Sequence, residues 1–168
     1  VASMGVSLVG VDPSMTLVYR DEYRHALADG VGFEVQLVQE WLLKQDLPQV
    51  KPQGALRLFA HCTEKSLVPE AERSWQQTFE KMGLTLNIEK VGCCGMAGVY
   101  GHEAEHIDTS KAIFSSSWQD KLDQSGIAMA TGFSCRSQVK RCSGEVLPHP
   151  VEVLLGGLLL NPIDRATG

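Results

Sequence analysis

Cysteines stand at positions 62, 93, 94, 135 and 142, and four of them are candidates to act together. Two are adjacent, Cys93 and Cys94, and glycines at 92, 95 and 98 surround the pair. An odd count with an adjacent pair argues against a secreted disulfide framework. In a reducing compartment the same side chains are metal ligands or redox thiols. Four soft thiolates, Cys62, Cys93, Cys94 and Cys135, suit an iron–sulfur cluster or zinc, and direct thiol–disulfide chemistry by the Cys93–Cys94 pair is a third reading. Gly92 and Gly95 would let the backbone approach a bulky cluster and offer N–H groups to its sulfurs.

The neighbours of these cysteines are polar. His61, Thr63 and Ser134 stand beside ligand candidates and would orient them by hydrogen bonding. Arg136 is a candidate for an anionic substrate or partner, and His149 for a hydrogen bond to a cluster or a substrate carboxylate. Cys142 lies in a polar, basic stretch and reads as a bystander. The run GHEAEH (Gly101 to His106) has the letters HExxH from His102 to His106, but no helical pattern surrounds it to set the two histidines on one face, so it reads as a loop or a first helical turn.

Spacings of 31 and 41 positions along a chain bring nothing together unless elements do so. Ser7 to Val11 reads as a buried strand ended by Asp12–Pro13, with Ser14 capping a helix. Gly30 to Gly32 break that helix, and Phe33, Leu37, Val38, Trp41 and Leu42 predict a second one to about Gln45. Pro48, Pro52 and Gly54 form a loop. Ala55 to Ala60 is strand-like and stops at His61–Cys62; a helix follows Pro69, with Trp75, Phe79 and Met82 as its apolar stripe and Gly83 as its cap. Thr85 to Lys90 alternates like a strand and runs into Gly92–Cys93. A helix from about Thr109 carries Ile113, Phe114, Trp118 and Leu122. Ile127 to Ala130 is a short strand ending at Thr131 to Cys135, Val146–Leu147 is a candidate for one more, and Pro150 opens a last helix.

Alternating strands and helices predict an α/β fold, an open and mostly parallel sheet with helices on both faces. In such a sheet every strand ends at the same edge, where ligands bind. Asp12–Pro13–Ser14, His61–Cys62, Gly92 to Gly98, Gly132 to Cys135 and His149–Pro150 each follow a predicted strand, so the site is expected at the C-terminal edge.

The 43% hydrophobic content suffices for a core, and the net charge of −5 without a basic cluster excludes a nucleic-acid face. The longest apolar stretch, Val151 to Leu160, is too short for a transmembrane segment. The chain opens without an initiator Met, and residues 1–168 are expected to be one domain of a longer polypeptide.

His61–Cys62, then VGCCGMAG (Val91 to Gly98), then GFSC (Gly132 to Cys135) resemble the cysteine-rich CCG domain of heterodisulfide reductase, of iron–sulfur subunits of glycerol-3-phosphate dehydrogenase and of lactate-utilisation proteins. The strings GFSCRSQVKR and LPHPVEVL are similar to the C-terminal end of bacterial FAD-linked, iron–sulfur oxidoreductases of the D-lactate and D-2-hydroxyglutarate dehydrogenase type. The resemblance covers nearly the whole chain. It implies a 4Fe-4S-type cluster on Cys62, Cys93, Cys94 and Cys135, passing electrons from FAD to an acceptor in the oxidation of a D-2-hydroxy acid. FAD and ferredoxin-like cysteines would belong to other domains of the same or a partner chain, since nothing here reads as a flavin site. The implied location is the cytoplasm, or the periphery of the inner face of the membrane. A structural zinc or cluster-free docking domain is the alternative. One departure stands out: the family's motif often closes as CxxC, and here Gln138 occupies the place of the second cysteine.

Overall fold

The computed structural model describes residues 5–27, 32–51 and 54–160. Five short strands alternate with helices: β1 (Leu8–Gly10), α1 (Pro13–Arg20), α2 (Glu22–Ala26), β2 (Val35–Leu37), α3 (Val38–Leu42), β3 (Leu56–Phe59), α4 (Cys62–Leu67), α5 (Ala71–Lys81), β4 (Leu86–Ile88), α6 (Ile107–Phe114), α7 (Asp120–Leu122), β5 (Ile127–Ala130), α8 (Phe133–Ser143) and α9 (Pro150–Leu160). The fold is α/β with parallel pairing throughout. The strands hydrogen-bond as two groups, a β1–β2 pair and a three-stranded sheet in the order β4-β3-β5.

Apolar residues at helical spacing build the long elements. Trp75 and Phe79 on α5 are buried with Leu58 and Met129 in one apolar cluster. Phe114, Trp118 and Leu122 recur every fourth position along α6, a π-helical turn (Ser115–Gln119) and α7, and they form a second part of the core with Phe59 and Val139. Cys94 and Cys135 belong to this second apolar cluster. Gly83, at φ +78°, ends α5 in the conformation that glycine adopts without penalty.

Several local expectations are corrected. The run from Phe33 to Leu42 is not one helix: Val35–Leu37 forms β2 beside β1, and the helix begins only at Val38. Helical periodicity there yields to the pairing that the edge of β1 offers. Asp12, not Ser14, caps α1, accepting from Met15 N at 3.2 Å with Pro13 in the first turn. A helix, α4, starts at Cys62 itself. Val146–Leu147 forms no strand, although the next residue, Pro148, accepts from Ala130 N on β5 at 3.1 Å. Of the expected helix break and the loop before β3, Gly30, Val31 and Pro52 lie outside the described residues.

Candidate metal centre

The C-terminal ends of β3, β4 and β5 carry the four cysteines. Cys62 opens α4 immediately after β3, Cys93 and Cys94 follow β4, and Cys135 lies in the first turn of α8 after β5. Their thiols form a chain of contacts, Cys62 with Cys93, Cys93 with Cys94, and Cys94 with Cys135. Cys94 and Cys135 are buried, whereas Cys62 and Cys93 are partly open. The Cys135 thiol donates to Cys94, which brings Cys94 down to about 7, while that donation and burial push Cys135 well above the ordinary thiol range. Burial raises Cys93, against a hydrogen bond from Gly95 N–H to its sulfur at 3.3 Å. Cys94 therefore carries negative charge before Cys93 or Cys135 does.

Each cysteine turn is braced from outside. Gly92 does not offer its N–H to a sulfur; it donates to Ser117 Oγ at 2.6 Å, and Trp118 Nε1 donates to Gly92 O at 3.1 Å. The π-helical turn makes both contacts possible by presenting successive side chains, 117 and 118, to one residue's backbone. Gly95 has φ +87°, and a Cβ there would run into the Ser110 carbonyl. Gly132 is packed so closely that a Cβ would overlap the His61 ring and come within 3.2 Å of Cys135 Sγ.

His61 is buried, and its Nδ1 accepts from Thr63 N at 3.2 Å, which leaves the proton on Nε2 facing Ser134 Oγ at 3.3 Å. Burial lowers its pKa, so the ring is neutral. Arg136 spends one guanidinium nitrogen on the carbonyls of Ala130 and Thr131, both at 3.0 Å, and lies over the Phe133 ring. It thus pins the end of β5. With Val11, Met15, Gly98, Phe133 and Ser134, it also lines an open cavity of about 480 Å³. His149 sits in the core edge-on to Trp75, with Nδ1 accepting from Val151 N at 3.2 Å. Its Nε2 is buried without a partner, and burial lowers its pKa to about 4.

Sequence reasoning missed Glu64. This residue is 1% exposed, and its carboxylate accepts from Gln39 Nε2 (2.6 Å), Trp75 Nε1 (3.1 Å) and Thr131 Oγ1 (2.7 Å). Thr131 Oγ1 in turn accepts from His61 N at 2.9 Å. A glutamate three residues after a helix cap is the available signal, but Pro69 draws the predicted helix start away from it. Cys142 is half-buried against the core and takes no part in the chain of thiol contacts. Glu103, Glu105 and His106 do converge, with ligand atoms within 4.8 Å, but they stand on short helical turns at the surface, where His106 lies 3.5 Å from each carboxylate.

Four thiols from three strand ends make the sulfur-rich donor set that an iron–sulfur cluster or zinc takes. Among the described residues, no three cysteine sulfurs lie within 4.8 Å of one another.

The chain is similar to D-2-hydroxyglutarate dehydrogenases, with 52% identity to that of Pseudomonas putida over 156 residues and 46% to that of Haemophilus influenzae over 169, in each case across 92% of this chain. It spans only 15% and 16% of the length of those relatives. It is also 25% identical over 164 residues to a subunit of the anaerobic glycerol-3-phosphate dehydrogenase of Escherichia coli, covering 41% of that protein. No family model matches, and no solved structure matches. Among the described residues no helix is long and apolar enough to cross a membrane.

Proposed function

Taking the likeness to dehydrogenases as premise, we propose that this chain is the CCG-type electron-transfer domain of a longer oxidoreductase, holding an iron–sulfur cluster of the 4Fe-4S kind on Cys62, Cys93, Cys94 and Cys135. The observation that carries this reading is the gathering of four interacting thiols at the ends of three parallel strands. When bound, such a cluster takes up and releases single electrons, and its potential follows burial and hydrogen bonding at its sulfurs.

The chain's own residues set those conditions. Gly95 N–H points at Cys93 Sγ, and Met96 N–H faces the Cys94 sulfur. Cys94 and Cys135 back onto the apolar cluster around Phe59, Trp118 and Val139, which keeps water from one side of the centre. Cys62 and Cys93 face the more open side, where electrons enter or leave. His61, held neutral, stays a single hydrogen-bond donor at Nε2 and does not add positive charge.

The whole-protein reading extends from the relatives. FAD and ferredoxin-like cysteines in other domains would take electrons from a D-2-hydroxy acid, and this domain would pass them to an acceptor, in the cytoplasm or at the inner face of the membrane. Anaerobic preparation and reconstitution of the 168-residue chain test the core of it. The expected result is a brown protein with about four irons and matching sulfide, bleached on reduction and giving an electron paramagnetic resonance signal. Tight zinc without a redox signal would favour the structural alternative, and colourless protein that retains no iron would sink the cluster.

A further inference from the structure

Gln138 fills the position where the resembling proteins often place a second cysteine, yet it is fully buried and both polar atoms of its side-chain amide have partners. Its Nε2 donates to Ser110 O at 3.2 Å and to Ser110 Oγ at 3.0 Å, and its Oε1 accepts from Arg141 at 2.7 Å. Arg141 also donates to Ser110 Oγ, at 2.9 Å, and to Gly101 O. A hydroxyl has two lone pairs and one proton. With both lone pairs of Ser110 taken by Gln138 and Arg141, its proton is committed to Gly95 O, which it reaches at 2.7 Å.

Gly95 is the residue whose N–H faces Cys93 Sγ. Its backbone is at φ +87° and, lacking a side chain, would be free to turn if nothing held it. The Ser110 carbonyl sits where a Cβ would be, and the Ser110 hydroxyl grips the carbonyl oxygen. Ser110 thus holds the Gly95 α-carbon and the peptide that follows it, so the residue whose N–H faces the sulfur is anchored from outside the set of four cysteines.

Resting on the cluster reading above, we propose that Gln138, Ser110 and Arg141 form a positioning clamp that tunes the potential of the centre by aiming Gly95 N–H at Cys93 Sγ. An N–H donor stabilises the more negative, reduced state, so the clamp raises the potential. It does this as a unit, since the hydrogen bonds of the Gln138 amide all run to Ser110 and Arg141.

The test compares wild type, Ser110→Ala, Gln138→Met and the double variant, each reconstituted anaerobically, by iron and sulfide content and by redox titration followed by electron paramagnetic resonance. The clamp predicts wild-type iron in all four. It also predicts a roughly tenfold shift of the reduction equilibrium toward the oxidised form in each single variant, about 59 mV downward for a one-electron couple. The double variant should shift no further than a single one, because both substitutions cut the same path. Unchanged potentials in iron-loaded variants would overturn the clamp, as would additive shifts or loss of iron from both single variants, which would mean the network merely holds the ligands in place. Wild-type protein that takes up no iron would instead defeat the cluster reading itself, and the clamp with it.

Discussion

Thr131 Oγ1 donates to Glu64 Oε2 at 2.7 Å across 67 positions of chain, joining the turn that carries Cys62 to the turn that leads to Cys135. The same hydroxyl accepts from His61 N, so one oxygen fixes the last residue before Cys62 and the carboxylate behind it. Removing the carboxylate leaves Gln39, Trp75 and Thr131 as buried donors without an acceptor. Glu64→Ala is expected to cost about 3 kcal/mol of folding stability in urea denaturation, against about 1 kcal/mol for Thr131→Val. A loss under about 1 kcal/mol for Glu64→Ala would show that the network does not hold these two strand ends.

Gly132 allows the His61 ring to lie against the start of α8. Gly132→Ala forces the ring aside or shifts the helix, at a cost of about 1–3 kcal/mol, and it displaces Cys135 with it. Iron retained per chain after desalting should fall. Retention equal to wild type, with a folded variant, would separate the His61 packing from the thiol arrangement.

His149 makes stability depend on pH. Its pKa is about 4 in the folded chain and about 6.5 when unfolded, so between those values the unfolded chain binds more protons. Stability from this group is complete above about pH 6.5 and declines as pH falls toward 4, by up to about 3 kcal/mol. Burial of Glu64 acts in the opposite sense: its folded pKa is raised from 4.5, so its contribution falls as pH rises above about 4.5. Comparing denaturation midpoints of wild type and His149→Phe isolates the histidine, and the variant should lose the steeper decline on the acid side. Parallel curves for the two proteins would refute this.

The thiols divide by packing. Cys142→Ser should leave iron content unchanged, whereas Cys94→Ser removes the thiol with the lowered pKa from the middle of the chain of contacts and should lose the centre. Equal iron loss in both variants would mean that Cys142 takes part in ligation.

Much of this geometry was readable from residue order. Ile127–Ala130 falls where its short apolar run predicts, and α9 opens at Pro150. The convergence of the cysteines followed from their lying just after strands of one direction. What stayed hidden depended on partners distant in sequence. The strand at Val35–Leu37 is three residues long and is defined by Leu8–Gly10, so its local pattern reads as part of the helix that follows. Glu64 looks like any charged residue in the first turn of a helix until Thr131 and Trp75 are seen to enclose it. Gln138 reads as a missing cysteine, and only its buried contacts with Ser110 and Arg141 give it a role of its own.

Trp118 is fully buried, lies against Phe59 at 4.8 Å between ring centroids, and hydrogen-bonds the carbonyl of the residue next to Cys93. An indole in that position emits into whatever absorbs beside it. A broad visible chromophore on the thiols would quench its fluorescence, and stripping the metal would restore it, so the emission of this indole would gauge whether the proposed centre is filled.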